Sequence, residues 1–138
     1  MTLRELNQYF NDILKPQDFS DDPSMNGIQV QNSDMDKPIN KVAFAVDAAL
    51  ETILRAKEAK ADVLVVHHGM FWGQSFTLVD SAYQKIKTLM DSDMALYAAH
   101  LPIDANKEVG NNYGLAKRLG LTQLEGFGQW RGMEIGVK

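Results

Sequence analysis

Two histidines stand side by side at the end of an apolar run, Val63-Leu64-Val65-Val66-His67-His68. The only other histidine, His100, ends a second run, Ala95-Leu96-Tyr97-Ala98-Ala99-His100, and Asp104 follows it by four residues. Imidazole nitrogen and carboxylate oxygen together suit zinc, iron, manganese, cobalt or nickel. Each histidine falls where a buried strand should meet a loop, and in α/β sheets ligands bind beyond the carboxyl ends of the strands. A lone histidine in such a place is ordinarily a satisfied polar side chain. Three of them at equivalent strand ends point instead to a metal site.

The pair poses a geometric problem, because neighbouring side chains on a strand leave opposite faces. His67 and His68 can serve one site if the strand bends or ends between them, and Gly69 permits a bend. Two metals about 3.5–4 Å apart would also relax the demand, each histidine binding its own ion. Leu101-Pro102 argues against a continuous helix from His100 to Asp104, so these two read as a loop pair. Asp47 ends a third apolar run and reads as a helix N-cap or as an outer partner that orients a ligand, with direct ligation the weaker alternative. Two four-coordinate ions need about eight positions. His67, His68, His100 and Asp104 cannot fill them even with a bridging carboxylate, so water, a second chain or further residues must complete the shell.

The elements that must position these groups follow from patterning. Thr2 and Glu5 fit a capping box, and Leu3, Leu6, Phe10, Ile13 and Leu14 recur at helical spacing until Pro16. Residues 17–40 read as a long polar loop holding one short strand at Ile28-Gln29-Val30, with Asn26-Gly27 as a turn. Val42–Val46 reads as a strand buried on both faces, and Val63–Val66 and Ala95–Ala99 as two more. Helical stripes lie at Leu50–Leu54, Ala82–Met90 and Leu115–Leu119, the last closed by Gly120 as a C-terminal cap. The alternation predicts one α/β domain over residues 1–138, with a mixed, largely parallel sheet flanked by helices. Met133-Glu134-Ile135-Gly136-Val137 alternates like a strand just begun, from which a fragment or a short form of a longer chain is expected.

Composition narrows the function classes. Hydrophobic residues at 45% and charged residues at 23% support a packed core rather than disorder. A net charge of −4 without any basic cluster argues against a nucleic-acid surface. The absence of cysteine excludes disulfides, thiolate catalysis and cysteine-bound zinc. No stretch reaches the roughly 18 apolar residues of a membrane span, and the amphipathic N-terminus is unlike a signal peptide. A cytoplasmic protein is expected. The glycines near Gly69–Gly73 match no phosphate-binding pattern, and the serines lack a nucleophile elbow. Met70, Phe71, Trp72 and Phe76 could line a pocket or a subunit contact, or simply pack, and Trp130 has no assignable role.

Taken together, these motifs resemble the N-terminal half of the Nif-three-like (NGG-one-interacting-factor-like) family. The likeness rests on Asn26-Gly27-Ile28-Gln29-Val30, on Val42–Asp47 and on Leu64-Val65-Val66-His67-His68-Gly69-Met70-Phe71-Trp72. It continues through Tyr97-Ala98-Ala99-His100-Leu101-Pro102-Ile103-Asp104 and Gly110-Asn111-Asn112-Tyr113-Gly114-Leu115-Ala116. Many members carry the name GTP cyclohydrolase I type 2 homologue. The resemblance implies a dinuclear centre of divalent metal ions, zinc, iron, manganese or similar, up to two per subunit. His67, His68 and Asp104 are the implied ligands, and His100 an additional ligand or a general acid/base. It also implies a homohexamer with its metals facing an internal cavity. The family's later His-x-x-x-Glu pair has no counterpart here, since no histidine follows His100. A truncated chain, weak metal binding or a single ion would each account for that. The two functions in play are a metal-dependent hydrolase and a non-enzymatic metal-binding, metal-handling or scaffold protein.

Overall fold

The computed structural model describes residues 1–138. Helix α1 (Leu3–Leu14) opens with the capping box: Thr2 Oγ1 accepts from the Glu5 amide while the Glu5 carboxylate accepts from the Thr2 amide. Lys15 closes it in a left-handed conformation, and Pro16 starts a short 3-10 turn, Pro16–Phe19. A loop then leads to strand β1 (Gly27–Val30), where Gly27 takes φ +112°, open to glycine at no steric cost. Strand β2 (Val42–Asp47), helix α2 (Leu50–Glu58), strand β3 (Val63–His68), helix α3 (Asp80–Asp91) and strand β4 (Ala95–Ala98) alternate next. The chain continues through the one-turn helix α4 (Leu101–Asp104) and helix α5 (Asn111–Arg118) to a hairpin of β5 (Gly126–Trp130) and β6 (Met133–Val137). Gly120, at φ +73°, takes the expected cap position beyond α5.

The main sheet has the order β1-β4-β3-β2, with β2, β3 and β4 parallel and β1 antiparallel at one edge. This is the mixed, largely parallel α/β sheet expected from the alternation. Helices cover both faces. On one, Leu3, Leu6 and Leu14 of α1 pack on Val63, Val65, Ala95 and Tyr97. On the other, Ile53 and Ala56 of α2 and Leu89 of α3 pack on Leu64, Val66, Leu96 and Ala98. No helix is long and apolar enough to cross a membrane.

Two expectations are corrected and one strand is added. Strand β2 is not buried on both faces: it lies at the sheet edge, and Phe44 and Val46 are 72% and 63% exposed because α1 packs over β3 and β4 instead. His100 and Asp104 are not joined by a loop. Pro102 sits in the first turn of α4, where its missing N–H has no intrahelical partner to lose. Strand β5, unmarked by strong alternation, pairs with the anticipated β6, and its Trp130 stacks on Phe19 at 5.8 Å.

The central strands carry most of the core. Leu96, fully buried on β4, is expected to cost about 2–5 kcal/mol when cut to alanine. Leu54→Ala on the exposed side of α2 should stay within about 0.5 kcal/mol. Urea unfolding of both variants checks the contrast.

Candidate metal centre

Register brings the histidines together. Val66 of β3 pairs with Ala98 of β4, and Asp47 of β2 pairs with His68, so three strand ends finish at one level. The Ala99 amide donates to the Val66 carbonyl and the Ala48 amide to the His68 carbonyl, which extends the ladder to the site itself. His67 and His68 both belong to β3, with no break between them. Their ring centres nevertheless lie 4.4 Å apart, and those of His67 and His100 4.9 Å apart. One ring nitrogen from each of His67, His68 and His100 lies within 4.8 Å of the other two. The Asp104 carboxylate reaches to 3.6 Å from His67 Nε2 and also accepts from the Asn111 side chain. All four residues singled out from sequence thus lie in one half-buried cluster.

Each imidazole is held at the same atom. His67 Nδ1 lies 3.0 Å from the Ala99 carbonyl oxygen, His68 Nδ1 2.6 Å from Asp47 Oδ1, and His100 Nδ1 2.9 Å from Asp22 Oδ1. A carbonyl or carboxylate oxygen only accepts, so Nδ1 carries the proton in all three rings. The lone pair of each neutral imidazole is then on Nε2, free to bind a metal. Asp47 is therefore the orienting partner and not the helix cap, which is Ala49. The group of histidines could hold a metal ion.

Patterning missed the segment that braces these motifs. Asp22 is fully buried and accepts four hydrogen bonds, from Ser24 N, Asn26 Nδ2, His100 Nδ1 and Leu101 N. Burial pushes its carboxyl up, yet the hydrogen bonds from Asn26, His100, Ser24 and Leu101 outweigh that and hold it below the ordinary range. Asn26 Oδ1 accepts from the His100 amide at 2.7 Å. Gln29 Oε1 accepts from the Met70 and Phe71 amides, just past the double histidine. Gly69 proves necessary for this contact: a Cβ there would stand 2.4 Å from the Gln29 amide. Trp72 packs edge-on to His100 at 5.1 Å and donates to the Gly69 carbonyl. The signal was the dense run of hydrogen-bonding side chains from Asp21 to Gln29, which also fits any polar loop.

Replacing Gln29 by alanine orphans the Met70 and Phe71 amides in a half-buried setting. The expected loss is about 1–3 kcal/mol, with faster hydrogen exchange at those two amides than elsewhere in the sheet.

Comparison with known proteins identifies the family. A family model described as Duf34/NIF3 (NGG1p interacting factor 3) matches residues 1–137. A GTP cyclohydrolase 1 type 2 homolog from Treponema pallidum is 48% identical over 138 residues, 99% of this chain and 48% of the relative. One of the same name from Archaeoglobus fulgidus is 42% identical over 136 residues, 99% of this chain and 54% of the relative. Among solved structures, a protein of Thermus thermophilus superposes with a TM-score of 0.87 at 43% identity, over 97% of this chain and 53% of that one. Reduced HcgD from Methanocaldococcus jannaschii superposes with a TM-score of 0.80 at 28% identity, over 96% of this chain and 52% of that one. The chain spans about half the length of these relatives. Matched along nearly its whole sequence, it belongs to the Duf34/NIF3 family.

Proposed function

We propose that the cleft is a divalent-metal centre serving hydrolysis, with His67, His68 and Asp104 as ligands. The observation that carries this reading is the common tethering of three imidazoles at Nδ1, which leaves the lone pair of each on Nε2 in rings whose centres lie 4.4–5.6 Å apart. Satisfied structural histidines have no need of such a shared arrangement. Metal-binding histidines regularly donate their second nitrogen to a carboxylate or a backbone carbonyl, the two partner types present here. Zinc, iron and manganese all suit the donor set.

A divalent ion held there would act as a Lewis acid and lower the pKa of water toward neutrality. The residues of this chain supply the rest. Asp47 and the Ala99 carbonyl keep His68 and His67 in the required tautomer. His100 takes up or gives back a proton at Nε2 as general acid/base, and Trp72 shields that ring from bulk water.

With His100 kept as acid/base, two imidazoles and one carboxylate give three protein donors, enough with a water for one four-coordinate ion and not for two. A dinuclear centre would therefore draw donors from water, from another copy in a hexamer or from a further segment of a longer chain. If His100 is instead a fourth ligand, the shell closes, which gives as a second reading a single ion held without catalysis in a metal-handling or scaffold protein. We place either form in the cytoplasm, with no nucleic-acid partner.

Elemental assay of the purified chain should give one to two ions per subunit. Free metal at 100 times Kd should raise stability by about 2.7 kcal/mol, reversed by chelator. Turnover of GTP and simple phosphoesters with manganese, zinc or iron should fall about 10²- to 10⁴-fold in His100→Ala. It should vanish in His67→Ala together with the bound metal. Equal turnover in wild type and His67→Ala would sink the hydrolase reading. A melting curve unchanged by metal or chelator would sink the metal reading.

A further inference from the structure

Asp22 lies outside both histidine motifs, yet it is enclosed beside the histidine cluster. Its side chain has no exposed surface, and His100 is itself only 19% exposed. Every neighbour of its carboxylate donates. Ser24 N and Leu101 N are backbone amides and can do nothing else. Asn26 is oriented by its second contact: its Oδ1 accepts from the His100 amide, so its Nδ2 must be the atom turned to Asp22 Oδ2. With three donors fixed, the carboxylate is left as an acceptor toward His100, and the ring must bring Nδ1–H to it.

Two features separate this from a plain loop brace. Asp22 holds the His100 ring through one oxygen and the adjoining Leu101 amide through the other. Asn26, hydrogen-bonded to Asp22, holds the amide of His100 itself. Backbone and ring of a single residue are thereby fixed by one pair, buried Asp22 and half-buried Asn26, from a distant part of the chain. His67 takes its orientation from the end of β4 and His68 from β2, both neighbouring strands of β3. His100 stands beyond β4, and for its ring the Asp22 carboxylate takes the place of a neighbouring strand.

We propose that Asp22 is the positioning residue for His100, fixing its Nδ1–H tautomer and ring direction so that Nε2 meets His67 and His68. The geometric part stands alone. The consequence for metal and catalysis rests on the metal-centre reading above.

Long-range proton–nitrogen correlation spectra of the metal-free chain read the tautomer directly. Wild type should show His100 as a single Nδ1–H species, and Asp22→Ala should show both tautomers with the His100-to-His67 ring contacts weakened. His68 should be unaffected. If His100 joins the ligands, zinc titration should show affinity lowered about 10- to 100-fold in Asp22→Ala, the usual effect of removing an outer partner; if it acts only as acid/base, turnover should fall while zinc affinity holds. A purely structural brace would lower the melting temperature but leave the tautomer unchanged. That result overturns the proposal, as does a wild-type His100 found as Nε2–H or averaging between forms, which needs no variant. If wild type binds no zinc while the tautomer responds as stated, the metal-centre reading fails and the positioning role stands.

Discussion

Everything in this cleft depends on the hydrogen bond that each imidazole makes through Nδ1. A histidine free to rotate presents either nitrogen, in either tautomer, over a wide arc. Here an acceptor oxygen sits behind each ring at 2.6–3.0 Å. The three acceptors come from three different places: the end of β4, the end of β2, and the loop before β1. The site therefore exists only when the sheet has formed with the right register. A one-residue slip between β3 and β4 would move the Ala99 carbonyl away from His67 and turn the following side chains to the other face.

The same dependence explains why the core and the site are hard to separate. Strands β3 and β4 are the most buried elements; β3 carries His67 and His68, and His100 follows two residues after β4. Their apolar residues alternate between the two helix layers until the polar strand ends emerge. Strand β2 contributes less to the core and leaves Phe44 and Val46 in solvent, yet it still delivers Asp47 to His68. Asp47 is needed at the strand end, and that requirement is met without burying the whole strand.

Much of this was legible in the sequence. Continuous apolar runs ending in His67-His68 and His100 located both the central strands and the histidine cluster, because a buried parallel strand leaves few other readings. The cap signals around Thr2, Glu5 and Gly120 gave helix ends for local reasons that tertiary contacts did not override. What failed was what depends on distant partners. An apolar strand reads the same at an edge as in the middle, so Phe44 and Val46 gave no warning of exposure. Pro102 suits a helix start as well as a loop. Gly126–Trp130, with three exposed residues between its half-buried ends, lacks the alternation that marked β6. Asp22 and Gln29 matter through contacts spanning 78 and 41 residues, which no local pattern encodes.

The central claim is that His67, His68 and their neighbours present imidazole nitrogen to a divalent ion. X-ray absorption spectroscopy on the zinc-loaded chain tests it most directly. The expected result is a first shell of nitrogen and oxygen at about 2.0–2.1 Å, with the outer scattering of at least two imidazoles. A shell of oxygen alone, without imidazole scattering, would contradict it.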